Sequence, residues 1–317
     1  GSPFEVVRTC QGWMESIPMK VRYRDTDVPY PLSVVRGRLK LSGLSEIQVA
    51  DVIDTICDTL TNPTEDILLQ FVRESIESSN PSIIENFDKL SEYEKLKGMS
   101  KDIPPIVVVL EGASATGKSI VGLEIVNNLV ATRFISSDTV RQVLRSTMSE
   151  NEYPQLYCHT YQAYLHRQTG PEDLNPVIRG YLAQCEIITP QIIRMTERII
   201  SEGVTGVVEG VHVLPGMLQR ISSGVIEILI HPDDETHKAM FTNKHSATKL
   251  RTVAEDVETR EKEFSGTRAI QNYMLKLAQE AKVPIVKMID FEDVTVSVSK
   301  IIVESVGKLL SDFQEAS

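Results

Sequence analysis

The chain has 317 residues, 41% of them apolar and 24% charged, with a formal net charge of −11. That length and composition suit a globular protein with a buried core and room for two domains, and the acidity argues against a general nucleic-acid binder, which carries a basic footprint. No apolar run approaches the roughly 20 residues that span a bilayer, and no charged-then-apolar leader opens the chain. Cys10, Cys57, Cys158 and Cys185 are scattered without a C-x-x-C pair, so a zinc site is not expected and reduced thiols in the cytoplasm are.

No function is assigned to the residues before Met19. Residues 20–33 read as a hairpin: Val21 and Tyr23 alternate with Arg22 and Arg24, and Asp25-Thr26-Asp27 supplies the turn. Ser33 is placed to cap a helix that ends at Gly43. Ser45 starts a second helix, with Val49, Val52, Ile53, Ile56 and Leu60 at helical spacing. A third covers 66–78 and a fourth 83–97. Residues 1–97 thus form a small helical domain with a basic hairpin, followed by a linker over 98–105 in which Gly98 stops a helix and Pro104-Pro105 stiffen the chain.

From Ile106 strands and helices alternate to the end. Strands are expected over 106–110, 133–136, 204–209, 225–230 and 283–289, and helices over 118–130, 139–148, 178–201, 234–244, 267–281 and 294–312. Apolar strands separated by helices imply an α/β fold, a parallel sheet covered by helices on both faces.

The first strand runs into Gly112-Ala113-Ser114-Ala115-Thr116-Gly117-Lys118-Ser119-Ile120, a G-x-x-x-x-G-K-S P-loop with a strand before it and a helix after it. Backbone N–H groups of such a loop and the helix N-terminus cradle nucleotide phosphates. Lys118 is placed to reach the β- and γ-phosphates and Ser119 to ligate Mg²⁺, so ATP and Mg²⁺ are the expected cofactors.

Ligands of open α/β sheets bind beyond the carboxyl ends of the strands. Asp138 and Arg141 follow the second strand there. Asp138 is either a base or metal-orienting group for an acceptor hydroxyl or simply a helix cap; Arg141 suits a carboxylate or phosphate. Glu209 ends the third strand, where it can orient Mg²⁺ or act as general base. His212 either contacts the acceptor or is a hydrogen-bonded structural histidine. The segment 244–268 carries Lys244, Lys249, Arg251, Arg260, Lys262 and Arg268. It reads as a mobile lid with Lys244 and Arg251 as its acting cations, or as a solvated charged loop. Between the second strand and the long helix, His159, Tyr161, Arg167 and Arg179 could line an acceptor pocket, although for any one tyrosine packing is the better account.

Two resemblances add to this. Residues 21–60, with Arg22-Tyr23-Arg24-Asp25-Thr26, resemble the ATP-cone, a nucleotide-sensing module whose usual opening has adjacent basic residues followed by Asp-Gly. The chain departs from it at Tyr23 and Thr26, and the front domain either senses nucleotide or is a helical appendage that packs or makes a homo-oligomer. Over nearly its whole length the chain resembles the archaeal 2-phosphoglycerate kinase family. The matching residues are Gly112-Ala113-Ser114, Asp138-x-x-Arg141, His159-Thr160-Tyr161, Val208-Glu209-Gly210-Val211-His212, Pro215-Gly216, His237-Lys238, Phe241-Thr242 and Val283-Pro284. The resemblance implies an ATP- and Mg²⁺-dependent kinase acting on a hydroxyl of a small phosphorylated acid, with no nucleic acid and no membrane as partner. Archaeal mevalonate 3-phosphate 5-kinase resembles the same family, and Lys244 and residues 166–176 depart from the pattern where acceptor choice would be decided. A nucleotide-responsive regulator with no small acceptor is the alternative from another class.

Overall fold

The computed structural model describes residues 19–247 and 257–317. The chain opens with an antiparallel hairpin, β1 (Lys20–Tyr23) and β2 (Thr26–Pro29), in register Val21 to Val28 and Tyr23 to Thr26. The turn is Arg24-Asp25, one step earlier than expected, because Arg24 takes a left-handed conformation and releases Thr26 and Asp27 into the ladder. Four helices follow: α1 (Ser33–Ser42), α2 (Glu46–Thr59), α3 (Glu65–Ser75) and α4 (Pro81–Met99). Ser45 begins α2 as expected. It accepts from the Gln48 N–H at 3.3 Å while the Gln48 side chain accepts from the Ser45 N–H at 2.9 Å, a reciprocal capping box. Ser33 caps nothing, since Leu32 holds the cap position and Ser33 is already helical. Gly98 lies within α4 rather than ending it: it is not among the glycines with positive φ, and Ser100 closes the helix with its N–H on the Leu96 carbonyl.

The sheet strands are β3 (Val107–Glu111), β4 (Arg133–Ser136), β5 (Gly206–Gly210), β6 (Val225–Pro232) and β7 (Ile285–Met288). The helices between and after them are α5 (Lys118–Leu129), α6 (Ser137–Arg145), α7 (Pro176–Glu202), α8 (Asp234–Ala247), α9 (Val257–Glu280) and α10 (Phe291–Ala316). All strand pairs are parallel, in the order β4-β5-β3-β6-β7. Side chains of β3 alternate between two cores, as a two-residue period requires. Val108 and Leu110 pack with Ile125 of α5 and Ile302 of α10. Val107 and Val109 pack with Val140 of α6 and Ile188 and Ile192 of α7. The sheet is therefore covered on both faces, the α/β architecture expected. No helix among the described residues is long and apolar enough to cross a membrane.

The front helices have their own core, built on Leu39, Val52, Ile56, Leu68, Val72 and Phe87. Yet Leu41 of α1 and Leu90 and Tyr93 of α4 belong to the cluster beneath the sheet, with Ile106, Ile125 and Val306. Residues 100–106 are not a loose tether: Ile103 is buried, and the Tyr93 hydroxyl donates to the Pro104 carbonyl at 2.9 Å. One apolar core thus joins the front helices to the P-loop helix α5. Leu90→Ala removes a front-helix side chain from that joining core and should cost about 2–5 kcal/mol. Urea denaturation should show it, with probes in the front helices and in the sheet reporting the same lowered midpoint.

Candidate active site

The loop after β3 turns on Gly117, whose φ of 90° is open to glycine, and a side chain there would meet Met240, Met288 and Phe291. The first intrahelical donor of α5 is Val121, bonded to the Gly117 carbonyl at 3.1 Å. The N–H groups of Lys118, Ser119 and Ile120 precede it and have no partner within the helix, so they are presented at the positive end of its dipole. The Ile120 side chain itself faces outward, 60% exposed, and only its backbone can serve a phosphate. Ala113 differs from expectation. Its N–H is already taken by Gln271 Oε1 at 2.8 Å, so it fixes the loop and is not free for a phosphate.

The loop is held from behind by side chains of α8 and α9. His237 Nε2 bonds the Ser114 carbonyl at 2.8 Å, and its Nδ1 faces Arg268 at 3.2 Å. An arginine can only donate, so Nδ1 accepts and Nε2 carries the proton. Burial is the main reason that the His237 pKa falls to about 4. Arg268 also donates to the Pro232 carbonyl at 2.8 Å and pairs with Asp234. Gln271 Nε2 donates to the Ile230 carbonyl at 3.0 Å. Arg268, at the end of the segment read as a lid, is committed to the base of the loop.

Lys118 is buried and donates from Nζ to the Ala113 carbonyl at 3.1 Å. Burial lowers its pKa, while the charges of Glu209 and Asp138 work to raise it, so these carboxylates lie within electrostatic reach of the ammonium. Register explains the convergence: Glu209 pairs with Leu110 on one side and Ser136 on the other, so the carboxyl ends of β3, β5 and β4 come together. Asp138 stands in the first turn of α6, and the cap position is Ser136, so Asp138 is not the helix cap. Its burial works to raise its pKa, but the neighbouring cations Lys118, Arg141 and Lys244 hold it below the ordinary carboxylate range. Lys244 extends from α8 to the Ser114 hydroxyl, Nζ to Oγ 3.2 Å. It therefore stands over the P-loop on the side that faces Asp138.

The other expected residues divide. Arg141 comes within 3.8 Å of Asp138 but uses Nη1 on the Cys158 carbonyl at 2.6 Å, tying α6 to the segment that follows. His159 is exposed and stacks on Tyr161 with ring centroids 5.3 Å apart; Tyr161 is itself in the core that contains α7 and α9. His212 corrects an expectation: it is 0% exposed and both ring nitrogens are occupied, so it does not meet an acceptor. Arg251 and Lys249 lie outside the described residues. The presumed lid is helical on both flanks, in α8 and in the first turns of α9, and Lys238 pairs with Glu261 across them at 3.3 Å.

The donor set suits a hard divalent cation. Glu209 stands next to the end of a buried strand and makes no side-chain hydrogen bond among the described residues, Ser119 is exposed, and Asp138 is held ionised. All are oxygen donors, which Mg²⁺ prefers, and Mg²⁺ takes few protein ligands beside substrate phosphates. Among the described residues no group of three or more His, Cys, Asp or Glu could hold an ion by itself.

No family model matches the chain. The 2-phosphoglycerate kinase of Methanopyrus kandleri is 28% identical over 314 residues, 94% of this chain and 90% of that one. That of Methanothermobacter thermautotrophicus is 26% identical over 228 residues, 70% of this chain and 72% of that one. The chain is a relative of the archaeal 2-phosphoglycerate kinases. With the P-loop in place, that kinship makes it a phosphotransferase. Solved structures similar to it include shikimate kinase from Acinetobacter baumannii in complex with shikimate (TM-score 0.39, 12% identity, 68% of this chain and 98% of that chain). Another is shikimate kinase from Aquifex aeolicus (TM-score 0.31, 14% identity, 67% and 98%).

Sequence reading did not find the acid pair behind the loop. Glu111 is the last residue of β3 and Glu227 lies on the neighbouring β6, both buried. Glu227 accepts from the N–H groups of Gly216 at 3.0 Å and Gln219 at 2.8 Å, whereas the side chain of Glu111 has only Glu227 itself to bond to. Burial, then the charge of Glu227, pushes Glu111 well above the ordinary carboxylate range. Burial raises Glu227 too, against the pull of its backbone donors. The pair therefore keeps a proton, and Glu111 is the neutral partner. A raised folded-state pKa gives stability that is complete below the unfolded value and is lost as pH rises. The stability of the native chain should fall from about pH 5 to about pH 8 more steeply than that of Glu111→Gln, which stays neutral throughout. Denaturation midpoints of the two proteins across that range test it; parallel curves would place the charge on Glu111.

Proposed function

We propose that the chain is an ATP- and Mg²⁺-dependent kinase that phosphorylates a hydroxyl of a small phosphorylated hydroxy-acid, as its relatives' name, 2-phosphoglycerate kinase, implies for them. The observation that carries this reading is the convergence of Lys118, Asp138, Glu209 and Lys244 at the carboxyl ends of β3, β4 and β5. A nucleotide binder needs Lys118; the ionised Asp138 facing it is what an acceptor hydroxyl needs.

In this reading the N–H groups at the start of α5 and the Lys118 ammonium hold the β- and γ-phosphates, and Lys118 exchanges the Ala113 carbonyl for a phosphate oxygen. Mg²⁺, held by Ser119 and Glu209, would neutralise phosphate charge. Asp138 accepts the proton of the acceptor hydroxyl while that oxygen bonds the γ-phosphorus and ADP departs. A carboxylate held this acidic is a weak base, but phosphoryl transfer through a loose transition state asks mainly for alignment and charge stabilisation. Lys244 completes the positive ring on the P-loop side, and Arg141, Arg251, His159 and Tyr161 are the proposed acceptor and lid contacts.

Lys118→Ala should abolish turnover while leaving the unfolding transition in place, and Asp138→Asn should lower kcat by about 100-fold or more with little change in the KM for ATP. The assay is ADP release against 2-phosphoglycerate, mevalonate 3-phosphate and oligonucleotides. Full activity of Lys118→Ala, or stimulation of the native chain by none of these acceptors, would sink the proposal. Stimulation by mevalonate 3-phosphate alone would move the acceptor and keep the chemistry.

A further inference from the structure

Behind Asp138 runs a chain of buried side chains that phosphoryl transfer does not use directly. Gln184, in the middle of α7, donates from Nε2 to the carbonyl of Gln155 at 2.7 Å and to that of Cys158 at 3.3 Å. Both partners can only accept, so the nitrogen end of the amide is fixed on that side. Its Oε1 therefore faces His212 Nε2, 2.9 Å away, and as an acceptor requires the proton to be on that nitrogen. His212 Nδ1 is left as an acceptor, and the Ser137 hydroxyl donates to it across 3.0 Å. Every proton in the chain follows from the two carbonyls at its end. Gln184, His212 and Ser137 are all 0% exposed, so water does not compete. Burial also pushes the His212 pKa down to about 3, so the ring remains neutral. Gly210, with φ 151°, makes room for the approach, because a side chain there would collide with Ser137 Oγ and Cβ.

The two ends of the chain lie where the proposed reaction needs them. Ser137 directly precedes Asp138 in the first turn of α6. Gln155 and Cys158 belong to the segment between α6 and α7 that continues into His159 and Tyr161. Arg141 closes the circuit, since the Cys158 carbonyl accepts from both Gln184 and Arg141.

We propose that Gln184, His212 and Ser137 are positioning residues that lock Asp138 to the 155–161 segment, so that the carboxylate and the acceptor-side wall hold one relative geometry. The proposal rests on the kinase reading for its purpose, and on the hydrogen-bond directions for its existence.

The test uses Ser137→Ala and Gln184→Met in the full-length protein. Hydrogen exchange comes first because it needs no substrate. Ser137→Ala should speed exchange in 155–161 as well as in α6, and Gln184→Met should speed it at the start of α6, with α5 and α10 unchanged. Faster exchange confined to the altered element, or spread over the whole molecule, would overturn the proposal. Nitrogen-15 spectra of labelled histidine should show His212 as the neutral Nε2–H form, and an Nδ1–H form would overturn the proton order. With an acceptor that the native chain turns over, each variant should lose about 10- to 100-fold in kcat and gain acceptor KM, with ATP KM within about twofold. A loss that merely follows the folded fraction, with native kcat and KM per folded molecule, would also refute it. Where Gln184→Met does not fold, Ser137→Ala decides. If the native chain phosphorylates no acceptor yet exchange is coupled as described, the kinase reading fails and the lock stands.

Discussion

A buried ammonium has to be matched by carboxylates, and the P-loop lysine imposes that on the whole α/β unit. Lys118 lies 7% exposed at the foot of α5, where desolvation works against its charge. A charge in such a place is tolerated only with partners at hand. The strand order supplies them: with β5 between β3 and β4, the last residues of the three strands meet, and Glu209 and Asp138 arrive beside the loop from two different connections. Parallel strands turn all their carboxyl ends one way, so one edge of the sheet becomes the site. The front helices bear on the same helix from its other end, through Leu41 and Leu90 in the core beneath α5.

Behind this charged surface a second layer holds the loop by its backbone. Buried peptide groups need partners, and the loop finds them in His237 and Gln271, side chains more than a hundred residues away in sequence. Glu111 is different, a buried acid directly ahead of the loop whose side chain meets only another acid, Glu227. Its neutrality costs less than a second buried charge beside Glu227 would, because two carboxylates this close cannot both ionise cheaply.

Local chemistry was legible in several places. The P-loop between its strand and helix, the limits of β4, the helix start at Ser45 and the two-faced sheet depend on neighbouring residues and hydrophobic period, and all are found, whereas Ser33 and Gly98 do not mark the helix ends they suggested. Asp138 was visible as a candidate, but only the structure separates it from a helix cap. Elsewhere tertiary partners decide. The charged run before Arg268 looked like a loop, yet Phe264 and Gly266 pack against His237 and Tyr161 and carry α9 back to Val257. His212 read equally as an acceptor contact or a structural histidine, and its bonds to Ser137 and Gln184 make it the second. Gln271 and the Glu111–Glu227 pair left no signal at all, since a lone amide or acid on an apolar element has meaning only through what faces it.

The neutral His212 bears on how Asp138 works. The imidazole is one residue away in space from a carboxylate whose charge the proposed chemistry requires. Were it protonated, it would neutralise that carboxylate and compete with the acceptor and the metal for its oxygens. Burial removes this competitor: at a pKa of about 3 the ring is uncharged where Asp138 is ionised. It then contributes only direction, through the Ser137 hydroxyl at the start of α6. The cations that act on Asp138 are left to be Lys118, Arg141 and Lys244, which lie on the sides from which phosphate and acceptor would approach. Two ionisable groups in one small region are thus kept in different charge states by environment alone, the carboxylate by cations and the imidazole by the absence of water.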